Sequence, residues 1–175
     1  MSTLRVDSIN ARTGTTISVP TGTTVYAPGH IIQVVNQTSN TVTTSTATIP
    51  YDNTIPQITE GFEILSVSIT PKSANSKLFF NVLFNGYHTA ETTAGLTLAL
   101  FQNGVSNALS SQIFTVINNN YYARMMQHYM TAGTTSTMTF SVRAGAPSGT
   151  LYTNGAGSYM GGTVNSYITI MEIGV

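Results

Sequence analysis

The feature that most constrains this 175-residue chain is a rhythm of short strand-like runs. From residue 30 onward, alternating apolar and polar residues are interrupted by Gly, Pro, Asn or Ser roughly every ten positions, which is the spacing of an all-β sandwich or barrel. The alternation is typical of half-buried antiparallel strands. The predicted strands are His30–Asn36, Thr41–Ile49, Phe62–Thr70, Lys77–Tyr87, Gly95–Gln102, Gln112–Ile117, Tyr121–Met130, Met138–Ala144, Gly149–Thr153 and Ser166–Ile173.

One predicted strand is apolar on both faces. Leu78–Phe84 reads Leu-Phe-Phe-Asn-Val-Leu-Phe, so we expect it in the middle of a sheet, with one face on the core. The other face also needs a cover other than water. A second subunit is the simplest cover, and the residues that we expect to contact it from this strand are Phe79 and Leu83.

The segment Tyr121–Met130 is ambiguous, because its Tyr and Met residues fit helical spacing and also fill both faces of a strand. The surrounding β pattern favours the strand. Tyr and Met are enriched at protein interfaces, but core packing explains the patch equally well. The interface interpretation adds Tyr122, Met126 and Met130 to the predicted subunit contact.

Two turn signals punctuate the domain. Pro71–Ser76 carries Pro, Asn and Ser in positions that favour a turn. Gln102-Asn103-Gly104-Val105 is the strongest short hairpin signal, because Asn-Gly favours a two-residue type I′ turn.

The N-terminal segment repeats an eight-residue unit, first as Thr13–Pro20 and then as Thr21–Pro28. An even period places equivalent side chains on one side of an extended chain, and Pro and Gly exclude a continuous helix. So few apolar side chains cannot fold alone, and such repeats gain order by lying on another surface. We therefore expect an extended attachment arm at 1–29 and a β-sandwich domain at 30–175. The predicted particle-binding residues of the arm are Leu4, Val6, Ile9, Ile17, Val19, Val25 and Tyr26.

Charged residues make up only 7% of the chain, and six basic residues balance six acidic ones. Low charge gives little repulsion between copies and favours association. Nucleic acid is excluded as a partner because phosphate binding needs clustered Lys and Arg. We expect no membrane span, since no apolar run is long enough, and no secretory signal.

No catalytic motif is present, and we expect no enzyme activity and no cofactor. The three histidines are isolated in sequence and are expected at the surface or in loops; cysteine is absent, so no metal site is expected. A glycosidase needs two carboxylates across a cleft, and six acids, Glu60 and Glu63 among them, leave little choice of pair; caps of turns explain these acids better. The loop tyrosines Tyr51, Tyr87, Tyr152 and Tyr159 are candidates for contact with a glycan.

The chain resembles virion proteins of tailed bacteriophages, including tail fibres and capsid decoration (cement) proteins of cyanophages. The resemblance lies in the opening Met1–Ile9 and in the phrases Ser68–Leu78, Leu100–Gly104 and Ser166–Ile173. It implies a jelly-roll-like antiparallel β-sandwich that forms a homotrimer, with an N-terminal arm attached to the particle.

Two functions follow from that resemblance. As a decoration protein on the capsid surface, assembled in the host cytoplasm, the chain binds the major capsid protein or another virion protein through its arm. As a tail fibre or tail-tip receptor-binding protein, it recognises a host surface glycan through its Gly/Asn-rich loops. The short repeat favours decoration, because a fibre needs a longer shaft.

Overall fold

Alternating side chains along ten strands produce two antiparallel sheets that pack face to face. A computed structural model describes residues 27–89, 92–116, 120–155 and 159–175. Its strands are β1 (Ile31–Ser39), β2 (Thr43–Ser45), β3 (Phe62–Ile69), β4 (Lys77–His88), β5 (Thr92–Gln102), β6 (Ser110–Val116), β7 (Tyr121–Thr131), β8 (Met138–Gly145), β9 (Leu151–Thr153) and β10 (Ser166–Ile173). No helix in the described ranges is long and apolar enough to span a membrane.

The strand order is that of a jelly roll. The first sheet runs β1-β10-β4-β7, and the short strands β9 and β2 extend it beyond the end of β10, where β9 pairs with the last residues of β4. The second sheet runs β3-β8-β5-β6. Numbered along the chain, the eight long strands therefore alternate between sheets as 1-8-3-6 and 2-7-4-5, which is the winding of two Greek keys. The predicted jelly-roll-like sandwich is confirmed.

The two ends of the sandwich carry different segments. At one end, here called the terminal pole, Gly29 N donates to Gly174 O (2.7 Å) and Gly174 N donates to His30 O (2.9 Å). The turns before β4 and before β8 lie at the same pole, since Lys77 pairs with both Ile173 and Thr131. The long connections after β1 and after β8 lie at the opposite end, here called the distal pole.

The core lies between the inner faces of the sheets. Strand β4 contributes Leu78, Phe80, Val82 and Phe84, all at most 1% exposed. The Phe80 and Phe140 rings meet edge-to-face across the sandwich, with centroids 4.8 Å apart. Each such side chain contributes about 1.5–3 kcal/mol through burial, so this layer dominates the stability of the fold.

The buried carboxylate of Glu172 joins the turn at 71–76 to the first sheet. It accepts hydrogen bonds from Gln33 Nε2 (2.6 Å), Lys72 N (2.8 Å) and Ser73 N (3.2 Å). Burial raises the pKa of this carboxyl, but the hydrogen bonds outweigh burial and leave the pKa lowered from its ordinary value. Glu172 thus caps a turn, as predicted for the acids, although the residue itself lies on the central strand β10.

Two local predictions are corrected and one is confirmed. The strand predicted at Thr41–Ile49 is only the three-residue β2. The Asn-Gly turn is not a two-residue hairpin: Gly104 has φ 82°, Asn103 is not left-handed, and β6 resumes only at Ser110. Val105 N donates to Gln102 O (3.1 Å), so a turn does form at these residues, and Leu109 N donates to Leu100 O (2.8 Å) across a seven-residue connection. The ambiguous segment at 121–130 is a strand, as favoured.

Candidate functional site

The outer face of the first sheet carries two apolar rows that cross all four long strands. In one row Val34, Met171, Phe79 and Tyr129 are neighbours, and in the other Thr38, Tyr167, Leu83 and Met125 are neighbours. A polar row of Asn36, Thr169, Asn81 and Gln127 separates them. Val34, Met125 and Tyr129 are 52–55% exposed. We call these twelve residues the outer face.

The structure divides the predicted subunit-contact residues between two sides of the first sheet. Phe79 and Leu83 lie on the outer face, half-buried. Met126 is 1% exposed and belongs to the core, and Tyr122 and Met130 pack against the core. Met126 is therefore too deeply buried for the predicted surface contact, whereas a contact through the partly buried Tyr122 and Met130 stays a prediction. The alternation of β7 turns the intervening residues outward instead.

Sequence reasoning did not select the outward-facing residues of β7 and β10 for the subunit contact. On β7, Met125 and Tyr129 lie beside Leu83 and Phe79 of β4. On the other side of β4, Tyr167 and Met171 of β10 lie beside the same two residues. The available signal was the alternation of the strand, which places residues 121, 125 and 129 on one face. Which face points outward depends on the register between β7 and β4, and that register cannot be read from one sequence.

The predicted particle-binding arm lies outside the described residues. Leu4, Val6, Ile9, Ile17, Val19, Val25 and Tyr26 all precede the first described residue, Ala27. Ala27 O accepts a hydrogen bond from His30 N (3.1 Å) and is also contacted by His30 Nδ1. The chain therefore enters the sandwich at the terminal pole, beside the start of β1.

Four tyrosines converge at the distal pole. The Tyr87 ring stacks on Tyr152 with centroids 4.4 Å apart and planes 13° apart. Tyr121 lies 5.2 Å from Tyr87 and 5.2 Å from Tyr159. Burial, followed by the adjacent Tyr152 phenol, raises the pKa of Tyr87. Three of the four predicted glycan-contact tyrosines thus lie together, whereas Tyr51 lies beside Gly95 and Ile113 of the second sheet.

Gly86 allows the stacked tyrosine pair to form. A side chain at this position would overlap the carbonyl oxygen of Tyr152 and the ring of Phe84. Without that close approach β9 cannot pair with β4, and Tyr152 cannot lie on Tyr87. The glycine therefore fixes the geometry of the tyrosine cluster.

A pocket of about 420 Å³ opens beside these tyrosines, where the connection between β9 and β10 folds over the end of β4 and β7. Asn85, Tyr121, Ala123, Asn154, Tyr159 and Met160 are among its lining residues, and none of the described lining residues is charged. The volume is within the usual range of small-molecule sites.

Asn154 fixes the wall of this pocket. Its Nδ2 donates to Ser39 O and Thr41 O (3.0 Å each), and its Oδ1 accepts from Ser166 Oγ (2.8 Å). Those bonds hold it at φ 57°. Met160, also lining the pocket, is at φ 49°, and these are the two non-glycine residues with positive φ in the described ranges. Such backbone conformations cost energy and cluster at functional sites.

The acids and histidines within the described ranges are dispersed over the fold. Glu60 accepts from Gln57 N (2.9 Å), and Glu63 pairs with Arg143 (3.4 Å). His88 is only 1% exposed, which corrects the expectation of surface or loop histidines, and burial lowers the pKa of His88 and of half-buried His128. Within the described ranges, no three potential metal-ligating side chains come together.

No protein-family model and no curated protein sequence matches the chain. Among solved structures, the sugar-binding EclA C-terminal domain is 15% identical with a TM-score of 0.36, covering 79% of this chain and 86% of that one. The CBM22-1 xylan-binding domain of Paenibacillus barcinonensis Xyn10C is 11% identical with a TM-score of 0.39, covering 86% and 99%.

A viral structure is similar to the same degree. The VP2 subviral particle of infectious bursal disease virus is 11% identical with a TM-score of 0.38, covering 82% of this chain and 37% of that one. Likeness at these identities and TM-scores transfers no functional residue to this chain. The jelly-roll assignment therefore rests on the strand order of the protein itself.

Proposed function

We propose that this protein is a capsid decoration (cement) protein that forms a homotrimer through the outer face and binds the particle through its arm. The observation that carries the proposal is the pair of apolar rows across the first sheet. Scattered apolar residues are normal on protein surfaces, but contiguous ones mark contacts with other molecules. The proposal assigns the protein no catalytic activity.

Neutral composition supports contact between identical copies. The three rows of the outer face contain no Lys, Arg, Asp or Glu, so two copies meet without charge repulsion or the desolvation of an ion. The polar central row supplies amide and hydroxyl groups, and Asn36 Nδ2 already donates to Thr169 Oγ1 (2.8 Å). The surface is thus apolar with a hydrogen-bonding stripe, as at many subunit interfaces.

The position of β7 supports three-fold symmetry, which the resemblance to virion proteins also implies. A closed ring of three needs two adjoining patches on each subunit, because its contacts are heterologous. The outer face supplies one patch. The edge of β7 that faces away from β4, from Ala123 to Thr131, supplies the other, since β4 is the only described strand that β7 pairs with. Met125 and Tyr129 lie where the two patches meet.

The arm supplies attachment to the major capsid protein or another virion protein. Three arms leave one trimer, so binding of the first raises the effective concentration of the others. Weak contacts by side chains such as Ile17 and Val25 then give strong retention on the particle without a large interface per arm.

A tail-tip receptor-binding protein is the second candidate, favoured by the tyrosine-lined pocket at the distal pole. In that arrangement the arm joins the tail at the terminal pole, and the pocket faces the host. Copy number separates the two: hundreds of copies per virion support decoration, and a few dozen or fewer support a tail tip.

The arm is tested by deleting residues 1–26. We expect the shortened protein to stay a folded trimer by light scattering and to lose co-sedimentation with particles that lack the protein. A full-length Ile17→Ser, Val25→Ser variant controls for chain length and should also bind weakly. Particle binding by the shortened chain, or its failure to fold, contradicts the proposal.

A further inference from the structure

We infer that the pocket beside Tyr121 and Tyr159 binds a neutral carbohydrate. The pocket lies within one subunit, so the inference holds whether the protein decorates a capsid or forms a tail tip. Its volume of about 420 Å³ accommodates a short oligosaccharide unit rather than a protein segment, as in other small-molecule sites.

The chemistry of the lining is that of a sugar site. A pyranose ring presents C–H groups on one face and hydroxyl groups around its rim. Tyr121 and Tyr159 are 52% and 48% exposed and stand edge-to-face, with planes 70° apart. Their rings offer apolar surfaces for the C–H groups, and phenol oxygens lie at the ring ends.

Charge narrows the ligand class. None of the described lining residues is charged, so a carboxylated or phosphorylated sugar would lose its hydration without gaining an ionic partner. The side-chain amide of Asn154 is already hydrogen-bonded within the fold, and Asn85 Nδ2 donates to Asn165 O (2.5 Å). A ligand therefore meets chiefly the exposed rings and phenol groups of Tyr121 and Tyr159. A neutral ligand with C–H faces and hydroxyl groups fits that lining.

The wall of the pocket is preorganised. Asn154 has all three of its described side-chain hydrogen bonds within the fold, to Ser39, Thr41 and Ser166, and it keeps a left-handed backbone. Met160 also has a positive φ angle, and its side chain is 83% exposed. Because its side-chain bonds fix Asn154 before ligand binds, this part of the wall has little conformational freedom left to lose.

The test begins with the full-length protein on an array of neutral and sialylated oligosaccharides, followed by titration of the neutral oligosaccharide that gives the strongest signal. The chain contains nine Tyr and no Trp, so tyrosine fluorescence reports binding directly. We expect Tyr159→Ala to weaken affinity about tenfold or more, the effect of losing one aromatic contact. Ala123→Phe, which places a ring in the pocket, should block binding.

The matched control is Tyr51→Ala, which removes another exposed tyrosine, beside the second sheet, and should leave affinity unchanged. Circular dichroism checks that all three variants fold. The inference is overturned if no neutral oligosaccharide on the array binds, if only sialylated ones bind, or if Tyr159→Ala and Ala123→Phe bind like the parent. A change in subunit number instead of carbohydrate affinity also overturns it, since the pocket then receives a neighbouring copy. Trimer mass and particle binding test the proposed function separately.

Discussion

On the second sheet the outer surface is mostly polar and its main apolar cluster is covered by the chain itself, whereas on the first sheet two apolar rows remain open to solvent. Ser68 and Thr139 share a hydrogen bond on the second sheet (2.8 Å), and Arg143 donates to Glu60 O (2.7 Å). Ala99 and Phe101 are fully buried beneath Ile49, and the apolar side chain of Ile113 on β6 stays half-exposed.

The difference shows two ways of covering a sheet that is apolar on both sides. The loop between β2 and β3 folds back over the second sheet, so its cover is intramolecular. No described segment folds over the rows of the first sheet, and the proposed cover is a second copy of the chain. The two faces therefore predict opposite responses to substitution: one face controls folding, and the other controls association.

The largest expected effect comes from placing a charge on the first sheet. Met125→Lys puts an ammonium group into each copy of an apolar contact, so we expect the trimer association constant to fall about a thousandfold or more. Light scattering should show smaller particles, with near-native circular dichroism. Ile113→Lys is the matched control on β6 of the second sheet, where a side chain 49% exposed should tolerate charge. Equal dissociation by both variants would remove the distinction between the faces.

The next effect is on the cover of the second sheet. Phe101→Ala empties the cluster with Ile49 and Ala99 and should lower the free energy of unfolding by about 3–5 kcal/mol. Chemical denaturation at one fixed protein concentration measures the loss. Subunit mass at low denaturant should stay that of the parent protein. If Phe101→Ala dissociates the trimer without destabilising the fold, this cluster contacts another subunit and is not covered only by its own chain.

A smaller expected effect is that pH changes the stability of the fold but not the association of its copies. Burial lowers the pKa of His88 and of half-buried His128. Both therefore contribute stability that is present above pH 6.5 and is lost as the pH falls below that value. Glu172, with a pKa lowered from 4.5, contributes stability above 4.5 that is lost as pH falls further through its folded pKa.

The outer face contains no carboxyl or imidazole group. We therefore expect the thermal midpoint to fall from pH 7 to pH 5 while subunit mass stays constant. His128→Phe should reduce the slope of the thermal midpoint over that interval. Dissociation that tracks histidine protonation would mean that the contact lies elsewhere.

The sequence was sufficient for the fold class and most strands, because alternation over long runs such as Leu78–Phe84 is a local signal. It was insufficient to decide whether Met125 or Met126 points outward, because both faces of β7 carry apolar residues and the register with β4 is set by residues distant in sequence. The Asn103-Gly104 signal located a turn but not its type or the seven-residue connection, because the position at which β6 resumes depends on its register with β5.

The tyrosine pocket was only partly accessible to sequence reasoning. Tyr87, Tyr152 and Tyr159 were named, but their meeting with Tyr121 depends on β9 pairing with the end of β4. Asn154 lies in one of the predicted Gly/Asn-rich loops, but its part in fixing the pocket wall could not be predicted, because it depends on bonds to residues more than a hundred positions away.

The central claim, that the outer face of the first sheet joins three copies, is tested most directly by the mass of the full-length protein in solution. Light scattering over a range of micromolar concentrations should give three times the mass of one chain, and Met125→Lys should reduce it. A single-chain mass at every concentration, unchanged in Met125→Lys, would contradict the account.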